Sequence, residues 1–345
     1  MMRINMSVFD KYFRIFFVLH LCVLSFFLKS CRFDEPVRRF DVIIYGGTSS
    51  GVAAALKVSR TGKTVAVVEP SKHLGGLSSG GLGRTDIGNK DAVGGISREF
   101  YRRVGSYYGK QEEWFFEPHV AESVFNDMIK ESGAEVFLNH RLAAVEKEGL
   151  YIRKIRTDRG LVLRADCYID ATYEGDLMAA AGVSYTVGRE ACGTYEESLN
   201  GVQLGQKHHQ FEVPVDPYVI EGDPASGLLP RIHEGGPGGH AHGDHRVQAY
   251  CFRMCLTKDP NNRIPFNKPV GYDPNQYALL ARYLNKAEAV GKDVRLLSPR
   301  EIMNNKTDTN NNGGFSTDNI GMNYDYPDGD WETRRQIIAE HEVYQ

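Results

Sequence analysis

A glycine-rich turn and a later acidic residue are the clearest chemical signal in the sequence. The turn is Gly46-Gly-Thr-Ser-Ser-Gly51, and the acidic residue is Glu69. Glycine allows a sharp turn and close backbone approach to a ligand, and the N–H groups at a helix start attract a pyrophosphate. An acid in the place of Glu69 can accept hydrogen bonds from ribose hydroxyls. The pattern predicts a site for FAD or NAD rather than NADP.

Apolar runs on both sides of the turn support this interpretation. Residues 41–45 are typical of a buried parallel strand, residues 52–58 of a helix packed through small side chains, and residues 64–68 of a second buried strand. One position departs from the usual G-x-G-x-x-G pattern, because Thr48 replaces a glycine. Its hydroxyl could hydrogen-bond a phosphate, although its Cβ reduces the space. The alternative is a glycine-rich turn in some other α/β fold.

Two later segments favour FAD over NAD. Residues 70–83 are rich in glycine, where a nicotinamide domain would pass directly into a helix, and residues 167–176 read as an apolar strand ending in Asp-Ala-Thr. They resemble the second cofactor loop and the "ATG" strand-turn of two-dinucleotide-fold flavoproteins. We also expect a strand at residues 141–145 to pass the adenine. The predicted FAD contacts are Gly46, Gly47, Thr48, Ser49, Ser50, Gly51, Glu69, Pro70, Gly75, Gly76, Leu77, Ala144, Asp170, Ala171, Thr172 and Asp176.

These blocks resemble a bacterial FAD-dependent oxidoreductase family that is grouped with the heterodisulfide reductase A subunit flavoproteins, some members of which carry a xanthan lyase label. The blocks are Tyr-Gly-Gly-Thr at 45–48, His-Leu-Gly-Gly at 73–76 and Asp-Ala-Thr-Tyr-Glu-Gly-Asp-Leu at 170–177. In that family threonine is usual at the place of Thr48. Iron–sulfur clusters are not carried over, because the six cysteines form no CxxC pair. A lyase would need a Tyr/His/Arg set, and no motif isolates one.

The remaining pattern predicts an α/β chain in three parts. Residues 38–187 are expected to form a Rossmann-like FAD-binding domain of the two-dinucleotide-fold type, with helices near 94–104 and 118–132, a strand at 134–138 and a hairpin at 150–165. Residues 188–300 lack a second nucleotide fingerprint and are expected to form an inserted α+β substrate or cap region. Residues 301–345 would begin the return to the FAD domain, and we expect its C-terminal part to lie beyond Gln345.

The second half offers candidates for catalysis. His240, His242 and His245 with Asp244 could ligate a metal or supply a general base, but a polar loop is the simpler interpretation, and we assign no metal site. Residues 248–256 read as a largely buried strand. Its Arg253 could clamp a carboxylate or stabilise reduced flavin, or form a structural ion pair. The candidates for catalytic roles are Arg84, His240 and Arg253.

Other segments of the second half have structural interpretations. Cys251 and Cys255 read as core or strand residues. Residues 275–284 fit an amphipathic helix, and a further helix begins near Trp331. Residues 306–314, which are polar and rich in asparagine and glycine, could line the flavin or form a surface loop.

The N-terminal 31 residues are typical of an export signal. Basic residues come first, residues 15–28 are almost wholly apolar, and Leu28-Lys-Ser-Cys31 resembles a lipoprotein box with Cys31 as the lipidated residue. An uncleaved anchor or a misplaced start codon is the alternative. We expect an exported protein, in the periplasm or anchored to a membrane. The net charge of −3 gives no electrostatic case for nucleic acid.

Together these features predict an FAD-dependent oxidoreductase. FAD would accept a hydride from a small-molecule or carbohydrate-like substrate and pass electrons to an unknown electron acceptor. A polysaccharide lyase that keeps the nucleotide fold as a scaffold, or a non-catalytic fragment, is the alternative.

Overall fold

The computed structural model describes residues 36–250, 252–311 and 313–345. The predicted signal segment, Cys31 and Cys251 lie outside the described residues. The strands are β1 (Val37–Tyr45), β2 (Val65–Glu69), β3 (Glu135–Leu138), β4 (Leu142–Glu148), β5 (Tyr151–Thr157), β6 (Val162–Asp170), β7 (Met254–Thr257), β8 (Ser298–Glu301) and β9 (Lys306–Asn310). The α-helices are α1 (Ser49–Ser59), α2 (Gly95–Tyr107), α3 (Pro118–Ser132), α4 (Asp176–Ala180), α5 (Cys192–Tyr195), α6 (Ala278–Ala289) and α7 (Trp331–Tyr344). None of these helices is long and apolar enough to cross a membrane.

The main sheet has six strands in the order β3-β2-β1-β6-β5-β4. β1 runs parallel to β2 and β6, and β2 runs parallel to β3, while β4, β5 and β6 form antiparallel pairs. Parallel neighbours need a crossover connection, which α1 supplies between β1 and β2. The predicted strand–helix–strand unit, the strand beside it and the hairpin are therefore confirmed, and the fold is an α/β fold with a Rossmann-like parallel core.

Both faces of β1 are buried over residues 42–45, which explains the unbroken apolar sequence of that part of the strand. Val42 and Ile44 face one core, shared with α1 and α3, whereas Ile43 and Tyr45 face a second core, shared with β5, β6 and α4. α1 can lie close to β1 because Gly51 has no side chain. A Cβ there would lie 2.0 Å from the carbonyl oxygen of Gly46.

The second half contains a smaller antiparallel sheet in the order β7-β9-β8. The prediction of a largely buried strand over residues 248–256 is wrong, because the strand is limited to Met254–Thr257, with Phe252 40% exposed. β7 is an edge strand of a small sheet, so it has a neighbour on one side only. Cys255 lies on β7, which confirms the strand interpretation of this residue, but the free cysteine is exposed and is not part of the core.

Residues 306–310 do not form the surface loop that was one of the two sequence-based interpretations, and the other, that the segment lines the flavin, stays a prediction. They form β9, the central strand of the small sheet, which buries Asp308 and Thr309. The amphipathic helix predicted over residues 275–284 is confirmed. It begins with a short 3-10 turn, Pro274–Tyr277, that continues into α6. Tyr283 and Ala287 of α6 pack against Val213.

Candidate functional site

Three strand ends meet at one edge of the main sheet. Tyr45 is in register with Val68 of β2 and with Asp170 of β6, so the residues that follow these strands lie side by side. In sheets of this kind ligands bind outside the carboxyl ends of the strands. Gly46 has a φ of +104°, and a Cβ there would lie 2.7 Å from the backbone nitrogen of Thr172. Only glycine fits this crossing of two chain segments.

Thr48 fills the place of the missing glycine without strain. Its φ is −66°, which any residue can adopt. Its hydroxyl donates to the carbonyl oxygen of Ala171 at 2.6 Å and accepts from the N–H of Gly51 at 3.3 Å. The hydroxyl thus caps α1 and fastens the glycine turn to the end of β6. The phosphate contact that the sequence suggested for this hydroxyl stays a prediction, and the structure adds these structural partners.

Replacing Thr48 separates this role from simple packing. We expect Thr48→Ala to lower the free energy of unfolding by about 1–2 kcal/mol, since both a helix cap and a buried hydrogen bond are lost. Thr48→Ser keeps the hydroxyl and is the matched control. Urea denaturation of the two variants gives the comparison. Equal losses in both would show that the methyl group matters and the hydroxyl does not.

Glu69 is buried, 8% exposed, and its carboxylate binds backbone N–H groups of the glycine turn and of the residues that follow β2. Its Oε2 accepts from the N–H of Gly47 at 2.6 Å, and its Oε1 accepts from the N–H of Ser71 at 2.7 Å. A carboxylate has about four acceptor positions, so two backbone partners leave capacity for ribose hydroxyls. Glu69 both shapes the turn and faces the neighbouring cavity.

The Asp-Ala-Thr turn is held by its own first residue. One Asp170 oxygen accepts from the N–H and the hydroxyl of Thr172, at 2.9 and 2.6 Å, and the other accepts from the N–H of Met178 at 2.8 Å. The carboxylate is therefore occupied by the turn and by α4. Thr172 and Asp176, further along, reach the cavity.

The second glycine loop packs directly on the first. The N–H of Gly75 donates to the carbonyl oxygen of Gly47 at 2.8 Å. The hydroxyl of Tyr173 accepts from the N–H of Leu77 at 2.8 Å, and a Cβ on Gly76 would lie 2.2 Å from that hydroxyl oxygen. The two loops and the turn after β6 form one continuous backbone cradle.

A cavity of ≈ 780 Å³ opens between these segments, a volume ordinary for a small-molecule site. Its lining includes part of the predicted set: Gly46, Thr48, Glu69, Pro70, Gly76, Thr172 and Asp176. The following predicted contacts are not among the described lining residues: Gly47, Ser49, Ser50, Gly51, Gly75, Leu77, Ala144, Asp170 and Ala171. Most of these residues build the turns around the cavity, whereas Ala144 lies on β4 opposite Arg156.

Several lining residues were not among the predicted cofactor contacts. Tyr326, Trp331 and Arg334 border the cavity, and so does Arg141, which begins the segment 141–145 that was expected to pass the adenine. Arg141 follows β3, and the others come from the C-terminal segment that ends in α7. The helix at Trp331 was predicted, but no local pattern indicates that it faces the glycine turn.

The three catalytic candidates lie in different places. Arg253 borders the cavity, and its Nε and Nη2 donate to Asp308 at 2.9 and 3.2 Å, which is the ion pair that the sequence left open. The guanidinium of Arg84 lies 4.2 Å from the ring centre of Phe115. His240 accepts from the N–H of Leu204 at 3.3 Å. Neither Arg84 nor His240 is among the described residues that line the cavity.

The histidine-rich loop is organised around an ion pair. Nε of Arg189 lies 2.8 Å from an oxygen of Asp244, and this contact lowers the pKa of Asp244. Within the described residues no group of three or more His, Cys, Asp or Glu side chains is placed to hold a metal ion.

One carboxyl group at the cavity has a raised pKa. Burial raises the pKa of Glu174; Arg334 opposes this shift, and the nearby charge of Asp176 adds to it. Burial also raises the pKa of Tyr326 to about 12, so its hydroxyl keeps its proton at neutral pH. Both residues border the cavity, which gives it groups able to hold a proton.

The shift at Glu174 predicts a pH-dependent stability. A raised folded-state pKa favours the folded protein at low pH, and this contribution is lost as pH rises through that pKa. We therefore expect Glu174→Gln to be more stable than the wild type near pH 8 and to gain nothing below about pH 4, where glutamate is protonated in both states. Thermal denaturation at both pH values is the measurement. A gain of equal size at low pH would contradict the assignment.

The parallel sheet, the glycine turn, the acidic strand end and the second glycine loop define a dinucleotide-binding flavoprotein fold. The sequence profile of a family described as FAD dependent oxidoreductase matches residues 41–345, and the chain belongs to that family. The family's cofactor is FAD, and the cradle fits it, since it combines a pyrophosphate turn with a buried acid for the ribose. No curated protein sequence matches the chain.

Several solved structures are similar to part of the chain. L-proline dehydrogenase from P. horikoshii is 15% identical over 45% of this chain and 59% of its own, with a TM-score of 0.35. L-amino acid deaminase from Proteus vulgaris is 14% identical over 44% and 51%, with a TM-score of 0.31. Thioredoxin reductase from T. acidophilum is 20% identical over 39% and 35%, with a TM-score of 0.26. The chain spans less than two thirds of each of these structures.

Proposed function

We propose that the protein binds FAD in the cavity at the sheet edge and oxidises a small or carbohydrate-like substrate, from which electrons pass to an acceptor. One observation carries this proposal. One cavity joins the glycine turn and Glu69 to Cys255 of the smaller sheet and to Arg253, which directly precedes that sheet's strand β7. A dinucleotide cofactor is long, and a cavity shared by two sheets offers one end for its nucleotide half and another for its flavin.

Each part of the cradle has a definite task. The N–H groups at the start of α1 and the backbone around Gly46 attract a pyrophosphate, while Glu69 accepts from ribose hydroxyls. When bound, FAD supplies the capacity to accept a hydride, and the protein supplies position and electrostatics. At the far end Gly81 lets the second loop approach the small sheet, since a Cβ there would lie 2.8 Å from the Cβ of Arg253.

The proposal includes export. The basic start and the apolar run at residues 15–28 support secretion, and Leu28-Lys-Ser-Cys31 supports a lipid anchor at Cys31. The likeness to heterodisulfide reductase A flavoproteins and the xanthan lyase label rests on motif resemblance alone. In this proposal the resemblance therefore provides only an alternative activity, polysaccharide lyase, to be tested.

Anaerobic flavin bleaching tests the reaction. The FAD-loaded full chain is mixed with a panel of sugars, sugar acids, amines and hydroxy acids, and the visible flavin bands are followed. Bleaching by one substrate, reversed by an added acceptor, is the expected result. An FAD-loaded protein that no substrate class bleaches, but that produces ultraviolet-absorbing unsaturated ends from an acidic polysaccharide, would favour the lyase.

A further inference from the structure

A second cavity lies on the other face of the small sheet. Successive side chains of a strand point to opposite faces, and on β7 Cys255 borders the cofactor cavity whereas Met254 borders a separate cavity of ≈ 300 Å³. The two cavities share none of their described lining residues. A molecule can therefore occupy the second cavity while FAD occupies the first.

The walls of this second cavity are apolar and uncharged. None of its described lining residues is Asp, Glu, Lys, Arg or His. Two apolar side chains that border it reach the solvent, since Phe266 is 73% exposed and Leu297 is 43% exposed. A ligand in the cavity would cover them. Because an unpaired charge is costly to bury, these walls favour a neutral and largely apolar molecule.

The tyrosine hydroxyls in the wall already have partners. Tyr277 donates to the carbonyl oxygen of Tyr344 at 3.1 Å, and Tyr344 donates to the carbonyl oxygen of Ser316. The Ser316 hydroxyl accepts from the N–H of Asp318 at 3.0 Å. These groups hold the end of α7 against the wall, and recognition of a ligand falls to other polar atoms.

Two buried oxygen atoms in the same wall have no hydrogen-bond partner among the described residues. They are Oδ1 of Asn311, a residue that is 4% exposed, and Oγ1 of Thr317. Turning the amide over would not help, because Nδ2 of Asn311 donates to the carbonyl oxygens of Leu296 and Phe315, and a flipped amide would place its oxygen against both. Folded proteins rarely leave buried polar atoms unpaired, so this pair of oxygens points to a ligand.

A hydroxyl group is the ligand group that satisfies both oxygens. The Asn311 oxygen needs a donor, whereas the Thr317 hydroxyl can rotate and donate; a ligand hydroxyl offers one donor and two acceptor positions. An ether or ketone could only accept, which would leave Asn311 unpaired. An apolar cavity of about 150 Å³ holds benzene, so this cavity has room for one substituted ring. We propose that it binds a small neutral phenol or apolar alcohol, whose hydroxyl bonds to Asn311 and Thr317.

Isothermal titration calorimetry of the full chain with p-cresol tests this site. Toluene has the same methylated ring without the hydroxyl, and 4-methylbenzoate adds a charge. We expect p-cresol to bind roughly tenfold more tightly than toluene, because toluene leaves the buried oxygens unpaired, and we expect 4-methylbenzoate not to bind. Equal affinities for p-cresol and toluene, or no binding of p-cresol, would overturn the proposal.

Variants of the wall locate the binding. Thr317→Val removes the hydroxyl at nearly constant volume, so it should weaken p-cresol binding roughly tenfold and leave toluene binding unchanged. Thr317→Ser keeps the hydroxyl and is the matched control. Leu280→Trp fills the cavity and should abolish binding of both ligands.

Circular dichroism shows whether these variants are folded. Their uptake of FAD should equal that of the wild type, since neither Thr317 nor Leu280 is among the described residues that line the cofactor cavity. Binding of p-cresol that is unchanged in Thr317→Val and in Leu280→Trp would place the ligand elsewhere and overturn the assignment.

Discussion

Gly51→Val is expected to abolish FAD uptake. A Cβ at residue 51 would lie 2.0 Å from the carbonyl oxygen of Gly46, and this neighbour is backbone that cannot rotate away. α1 must then move off β1, which carries its N-terminal N–H groups away from the pyrophosphate position. Each hydrogen bond to a charged group contributes about 1.5–3 kcal/mol, so the loss of two predicts at least a hundredfold weaker binding.

Equilibrium dialysis with FAD measures this effect, and circular dichroism shows whether each variant is folded. Gly88→Val is the matched control, because no heavy atom lies within 4 Å of a Cβ at residue 88. The control should bind FAD like the wild type. Gly51→Ala should act in the same direction as the valine, since the collision is already present at Cβ. Undiminished uptake by Gly51→Val would show that this turn does not hold the pyrophosphate.

Arg253→Met is expected to lower the free energy of unfolding by about 3–5 kcal/mol. Asp308 is 2% exposed, and both of its oxygens accept from Arg253. Its Oδ2 also accepts from the N–H of Arg84 at 3.1 Å. Removing the guanidinium leaves a buried carboxylate without its cation, and an uncompensated buried charge strongly destabilises the folded protein. The ion pair joins the residue just before β7 to β9, so the small sheet should loosen first.

A double variant gives the control for this prediction. Arg253→Met combined with Asp308→Asn removes both charges, and we expect it to recover part of the lost stability, as measured by urea denaturation of all three variants. The competing hypothesis from the sequence is that Arg253 acts on substrate or flavin. A variant with wild-type stability and a large loss of flavin reduction would favour that role over the structural one.

The local sequence pattern was sufficient to predict the fold where the structure is determined by residues that are close together in the chain. The first strand–helix–strand unit was predicted because both strands are buried on two faces and the turn needs glycine at Gly46 and Gly51. The buried strand predicted around Arg253 failed because burial of a strand depends on what covers the sheet, and the edge strand β7 has one neighbour. An apolar run alone does not show which elements pack against the strand.

The residues of the candidate site also fall into two groups, those that the local sequence predicted and those that it did not. Thr48 and Glu69 were predicted from spacing along one unit, although the bond from the Thr48 hydroxyl to Ala171 depends on the distant strand β6. Residues 141–145 were expected to pass the adenine, but the contact between Arg141 and Trp331 was not predicted, because it joins segments far apart in sequence. Long-range contacts of this kind are set by packing, which a single sequence does not display.

The most direct test of the account is the visible spectrum of the purified full chain after incubation with FAD and removal of unbound cofactor. We expect a yellow protein with flavin absorption bands and about one FAD per chain, in keeping with the single continuous cradle around Gly46 and Glu69. A colourless protein that is folded by circular dichroism, yet retains no added FAD, would contradict the central claim that this cradle binds the cofactor.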